Sequence, residues 1–214
     1  DYLDRLLDSG KRLNLGWIPD STEISGRLNS YLNDLGNDYS GLVRICLFED
    51  LIGLSDRPAN SDGNPVEGWL LNYRRPEPLA KSTAEKELYG ALSELEVEKE
   101  DWVIIDPKDN DIRETATSNL IFATGKNLLI PEKFILQGIV LRKLLPLLNS
   151  EFSITRGAPK DNDLSDFDEI LLCGTGRGVA PLSALSELGW NSRGDILFNQ
   201  VRQMYDSLIE RACA

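Results

Sequence analysis

The sequence contains no histidine. That absence excludes a histidine general base, a Ser-His-Asp triad and any histidine-ligated metal site. Cysteine is scarce: Cys46, Cys173 and Cys213 are far apart, odd in number and in no CxxC spacing. They read as small packing thiols of a reducing, cytoplasmic protein, not as a disulfide frame or zinc cluster. Positive charge is also short. Over 214 residues, 23 Lys and Arg face 35 Asp and Glu, a net charge of −12. Nucleic acid and anionic membrane surfaces need a concentrated positive footprint, so neither is expected as a partner. No apolar run approaches the about 18 residues of a membrane-spanning helix. No secretory signal is visible.

What is there reads as α+β. Residues 2–15 place Leu3, Leu6, Leu7 and Leu13 near one helix face, stopped by Gly16. A second helix spans 22–35, capped by Ser21 or Thr22 and ended by Gly36. The period then changes, and 41–48, 50–54 and 66–72 read as strands around a polar loop at 56–65. Two prolines in 73–80 mark a linker. An acidic helix is predicted over 82–97, strands over 102–105, 112–124 and 127–130, and an apolar helix over 138–148. Short strands at 152–155 and 169–173, a glycine-rich turn at 174–178 and a closing helix at 194–212 complete the pattern. The expected domains are a small N-terminal α+β piece over 1–75, a linker over 76–80 and a larger strand-rich piece over 81–214.

Without histidine, proton transfer falls to lysine, tyrosine, cysteine or a carboxylate. Lys11, Lys99, Lys108 and Lys160 lie in charged runs and read as surface residues. Lys81 differs, because it precedes Ser82 and Thr83 at the predicted start of a helix. There the positive dipole end favours a neutral amine, which can attack a carbonyl. A lysine at a domain junction is the plainer reading. Glu114 lies in a segment of hydroxyls and amides ending at Asn119 and then apolar residues. Burying it requires a cation or hydrogen bonds, whereas an edge strand would leave it in water. Gly138 opens a helix at Ile139 and Val140, whose backbone N–H groups suit an anion. Thr175 and Arg177, in Gly174-Thr175-Gly176-Arg177-Gly178, offer a hydroxyl and a guanidinium for a phosphate or carboxylate. This is neither a Walker A loop nor a GxGxxG fingerprint.

Order and spacing together resemble the class IV aminotransferase family, the fold-type IV enzymes that use pyridoxal phosphate. Lys81 precedes Glu114 at the family's spacing, and Glu114 opens its E-x-x-x-x-N-hydrophobic strand. Ile130-Pro131, Gly138-Ile139-Val140 and Gly174-Thr175 with Pro181 follow in the family's order. Tyr2-Leu3-Asp4-Arg5-Leu6 is similar to its H-L-x-R-L helix, so the likeness runs from Tyr2 to about Ala184. The resemblance implies a two-domain fold like that of D-amino-acid aminotransferase, here with an incomplete N-terminal domain because the opening strands are lacking. It implies that Lys81 carries pyridoxal phosphate and moves protons at the substrate carbon. Glu114 would pair with the ring nitrogen, with Asn119 on the same strand. Arg5, the N–H groups of Ile139 and Val140 after Gly138, and Thr175 would hold the phosphate. A homodimer is implied as well, and no metal.

Tyr2 stands in place of the family's histidine, Val140 in place of a frequent threonine and Leu141 in place of arginine. Lys86 occupies the position of the tyrosine that marks the aminotransferase branch. Lys81-Ser82-Thr83 with Tyr89, and Arg177-Gly178-Val179, are similar to stretches of the aminodeoxychorismate lyases. The resemblance thus implies a lyase that eliminates pyruvate from 4-amino-4-deoxychorismate to give 4-aminobenzoate, with Arg177 on a substrate carboxylate. An amino-acid aminotransferase and a non-catalytic relative are the alternatives.

Overall fold

The computed structural model describes residues 1–59 and 62–213. By contacts the chain divides into two units, Asp1–Asn60 with Leu79–Ser82, and Ser61–Pro78 with Thr83–Ala214.

The smaller unit contains α1 (Tyr2–Arg12), α2 (Ser21–Leu35), β1 (Leu42–Leu47) and β2 (Ile52–Arg57). Helix α1 ends before Leu13, earlier than the leucine spacing predicts. The cap of α2 is Asp20 and not Ser21 or Thr22: its carboxylate accepts from the Glu23 N–H at 2.8 Å. A carboxylate there satisfies an orphan donor and favours the positive helix end. β1 and β2 form a two-stranded antiparallel sheet running from Leu42 opposite Arg57 to Leu47 opposite Ile52. The Tyr31 hydroxyl ties α2 to β2 by donating to Asp56 at 2.7 Å. Ile24 is wholly buried.

The larger unit begins with β3 (Val66–Asn72), then α3 (Lys86–Leu92), β4 (Glu100–Ile105), β5 (Ile112–Thr115), β6 (Asn119–Thr124) and β7 (Asn127–Ile130). It continues with α4 (Ile139–Glu151), β8 (Ser153–Arg156), β9 (Glu169–Gly174), β10 (Gly178–Leu185), β11 (Trp190–Asn191) and α5 (Ile196–Cys213). Strands β10, β3, β4, β5, β6 and β9 pair in turn and β9 returns to β10, which closes a barrel. The expected boundary near 75 therefore moves. β3 lies between β4 and β10, both parallel to it, and belongs to the larger unit.

Period-two alternation explains the two apolar layers. From β6 and β9, Leu120, Phe122, Ile170 and Leu172 join Val103, Ile112 and Leu182 in one cluster. Their neighbours Ile121, Ala123, Leu171 and Cys173 pack with Val140, Leu144 and Leu148 of α4 and Leu197 and Val201 of α5. Strands covered on both faces read as continuous apolar runs. Each such side chain, once buried, contributes about 1.5–3 kcal/mol. Glu169 caps α5 from β9, its two oxygens accepting the N–H groups of Leu197 and Phe198 at 2.8 and 2.9 Å.

Two further expectations change. The helix over 82–97 shrinks to α3, because Gly90 sits within it and Ser93 turns back to donate to the Gly90 carbonyl at 2.6 Å. The strand over 112–124 is a hairpin. Thr115 accepts the N–H groups of Thr117 and Ser118 on its hydroxyl and turns the chain at Ala116–Ser118. Beyond the glycine-rich turn, β10 adds a strand that the sequence reading left unassigned, with Pro181 opposite Leu171.

Candidate active site

In the smaller unit, Arg5 and Ser9 are one turn apart on α1 and so share a face. Arg5 lies over the Tyr2 ring, 5.6 Å from its centroid. The Lys81 N–H donates to the Ser9 hydroxyl at 3.1 Å, which anchors the Lys81 backbone beside that face. The Lys81 side chain is exposed. It does not open a helix, because α3 begins at Lys86, so the helix dipole cannot favour its neutral amine.

The larger unit holds Glu114, Asn119, Gly138, Ile139, Val140, Thr175 and Arg177. The hairpin puts Glu114 directly opposite Asn119. Both are buried. They share one backbone partner: the Leu136 N–H donates to Glu114 Oε2 at 3.2 Å, and Leu136 C=O accepts from Asn119 Nδ2 at 2.8 Å. Leu136 lies just before α4, so this staple places the helix start against the hairpin. Gly138 could be nothing larger, since a Cβ there would lie 1.9 Å from Asn119 Oδ1. With glycine as N-cap, the capping residue has no side chain to accept from the first N–H groups. The first intrahelical bond runs from Arg142 N–H to Gly138 C=O at 3.0 Å. The Ile139 and Val140 N–H groups therefore have no acceptor within the helix.

Glu114 also belongs to a charge cluster that the sequence did not announce. Arg75 donates to Glu114 Oε1 at 3.0 Å and grips Glu85 with two nitrogens at 2.7–3.2 Å. The Tyr73 hydroxyl donates to Glu85 at 3.3 Å. All three charged side chains are nearly buried, at 11% exposure for Arg75, 5% for Glu85 and 8% for Glu114. Burial opposes the Arg75 charge, but the two carboxylates outweigh it and hold its pKa above the ordinary value. Burial and then the Glu85 charge push Tyr73 up to about 12. One guanidinium thus bridges two buried carboxylates. Tyr73 and Arg75 lie in the stretch that reads as linker, and only the paired arginines before the prolines could have signalled them.

β6 pairs with β9 so that Asn119 faces Cys173, which places Thr175 two residues beyond that pair, in the β9–β10 turn. Thr175 is exposed. Arg177, read from the sequence as a substrate-carboxylate ligand, is 9% exposed, and its Nη2 donates to the Val97 carbonyl at 3.0 Å, with Asp101 at 3.4 Å.

The model of the family described as amino-transferase class IV matches residues 1–185. The chain belongs to the class IV aminotransferase family. No curated protein matches it. Among solved structures, a branched-chain aminotransferase of Thermoproteus uzoniensis, solved with norvaline, superposes with a TM-score of 0.81 at 16% identity, over 96% of this chain and 77% of that one. A candidate 4-amino-4-deoxychorismate lyase of Legionella pneumophila gives 0.79 at 17%, over 96% and 83%. An aminotransferase of Brucella abortus, bound to the cofactor PLP, gives 0.77 at 19%, over 96% and 81%. At these identities the likeness establishes the class IV aminotransferase fold, which lyases and aminotransferases share. Among the described residues no helix is long and apolar enough to cross a membrane.

Proposed function

We propose that the protein is a pyridoxal-phosphate-dependent lyase that eliminates pyruvate from 4-amino-4-deoxychorismate, acting as a homodimer in the cytoplasm. The observation that carries the cofactor reading is the buried carboxylate of Glu114, stapled through Leu136 to a helix start capped by glycine. A protonated ring nitrogen would pair with the first, and a phosphate suits the second. The donor set fits the group. Glu114 would hold the ring nitrogen, and the N–H groups of Ile139 and Val140 with the Thr175 hydroxyl and Arg5 would hold the phosphate.

Bound pyridoxal phosphate supplies an electron sink for a carbanion. The chain's residues do the rest. Lys81 would be the amine that holds the cofactor and, once the substrate amine has freed it, the base that takes the proton from the amine-bearing carbon of the substrate. Arg75 keeps Glu114 ionised and oriented, with Glu85 holding the far side of the guanidinium. In the elimination the C–H proton leaves, the ether C–O bond breaks and the ring becomes aromatic. Pyruvate departs after taking up a proton, so no keto-acid acceptor is consumed. The lyase reading over an aminotransferase rests on Lys81-Ser82-Thr83 with Tyr89, and on Lys86 where aminotransferases carry tyrosine.

Borohydride reduction of the cofactor-loaded protein, followed by peptide mapping, should place a pyridoxyl group on Lys81. Labelling that survives in Lys81→Ala overturns the assignment. Pyruvate should form from aminodeoxychorismate with no keto acid added. Turnover only when a keto acid is supplied identifies an aminotransferase instead. Analytical ultracentrifugation tests the dimer.

A further inference from the structure

Asp101, near the start of β4, is wholly buried. Its Oδ2 accepts from the Thr115 hydroxyl at 2.7 Å, the Thr117 hydroxyl at 2.5 Å and Arg177 Nη2 at 3.4 Å. Its Oδ1 has no hydrogen-bond partner. Arg177 Nη2 also donates to the Val97 carbonyl at 3.0 Å and meets the Thr117 hydroxyl at 3.3 Å. Two segments therefore converge on one carboxylate, the β5–β6 turn through Thr115 and Thr117 and the β9–β10 turn through Arg177, and Arg177 in turn ties in the loop before β4 through Val97.

Both turns belong to the candidate site. The β5–β6 turn joins Glu114 to Asn119, and the β9–β10 turn carries Thr175. They are also in direct contact. A Cβ at Gly174 would lie 3.0 Å from the Ser118 hydroxyl and 3.1 Å from the Thr117 carbonyl, so the chain beside Thr175 rests on the hairpin turn. A buried ion pair adds little net stability, because desolvation offsets the attraction. An orphaned carboxylate oxygen makes it costlier still. Glu114 does not depend on this brace, being held by Arg75 and Leu136. What the brace fixes is the Thr175–Gly176 backbone.

We infer that Asp101 and Arg177 are positioning residues that hold the β9–β10 turn where Thr175 binds the cofactor's phosphate. The inference rests on the proposed pyridoxal phosphate site and adds to it a dependence on two residues remote from the ring. Its signature is selectivity for the phosphate end. The experiment titrates the purified protein, Asp101→Asn, Arg177→Met and Thr117→Val with pyridoxal phosphate and with pyridoxal, following binding by absorbance. Circular dichroism monitors folding. Asp101→Asn and Arg177→Met should weaken pyridoxal phosphate about tenfold, the lower end of what outer-layer partners show at metal sites. Pyridoxal binding should stay within about twofold. Equal weakening of both ligands, or no weakening in folded variants, overturns the inference. If Arg177→Met does not fold, Asp101→Asn and Thr117→Val carry the same ratio test. A parent protein that binds neither ligand overturns the cofactor reading itself, which is a separate outcome.

Discussion

Glu114 and Asp101 are buried carboxylates of one barrel, each facing an arginine, and they are held in opposite ways. Glu114 has a partner on each oxygen, from Arg75 and Leu136. Its arginine is shared with Glu85. Asp101 has its arginine, two threonine hydroxyls on a single oxygen and nothing on the other. One carboxylate thus has a hydrogen-bond partner on each oxygen, and the other leaves one oxygen without a hydrogen bond. On the proposed function, the same pair of residue types would serve as a binding site in one place and as a brace in the other.

Breaking the first cluster should have the largest effect. Arg75→Met strands two buried carboxylates, which should cost about 3–5 kcal/mol in urea unfolding. A loss below 1 kcal/mol would show that water already reaches Glu85 and Glu114, and the reading of Glu114 as a buried partner for the ring nitrogen would fall with it. Gly138→Ala drives a methyl into Asn119 and should cost about 1–3 kcal/mol. Asn119→Ala in the same chain should recover part of that loss, since neighbours couple.

Asp101→Asn should change stability less at neutral pH but alter its pH dependence. Burial, opposed by Arg177 and the two threonines, raises the Asp101 pKa above the ordinary carboxylate value. Between the unfolded and folded values the folded chain holds more protons, so stability falls as pH rises through that window. Asparagine cannot titrate, and thermal melts across the acidic range should show that slope flattened. An unchanged slope would show that burial does not raise the Asp101 pKa in the fold. The smallest effect belongs to Tyr73→Phe, about 1 kcal/mol for one hydrogen bond. The Tyr73 hydroxyl, ordinarily at 10.0, titrates at about 12 in the fold. Its contribution is complete below pH 10 and fades toward about 12, so the phenylalanine variant should lose that alkaline slope.

Much of the fold was legible from pattern. Val66–Asn72 and Asn127–Ile130 match the strands read from the sequence, because turn residues bound each apolar run. Lys81, Glu114, Gly138 and Thr175 were singled out as chemically unusual types in an order that resembles one family. Tyr73 and Arg75 were not, because two following prolines make their segment read as linker. Glu85 and Asp101 were lost among many acids. The break between β5 and β6 was hidden because Glu114 through Asn119 has no proline or glycine, and a threonine hydroxyl makes the turn.

By itself the sequence determined the residue chemistry available here: no imidazole, an excess of carboxylates, and strands apolar enough to be buried on both faces. Those are properties of side-chain identity and short-range period, which the chain carries before it folds. Which carboxylates lose water, and which arginine each then meets, was decided by barrel closure. It puts Arg75, Glu85 and Glu114 in one buried cluster and turns Arg177 inward to Asp101. The energy of a charge depends on its surroundings, and only the folded barrel supplies those.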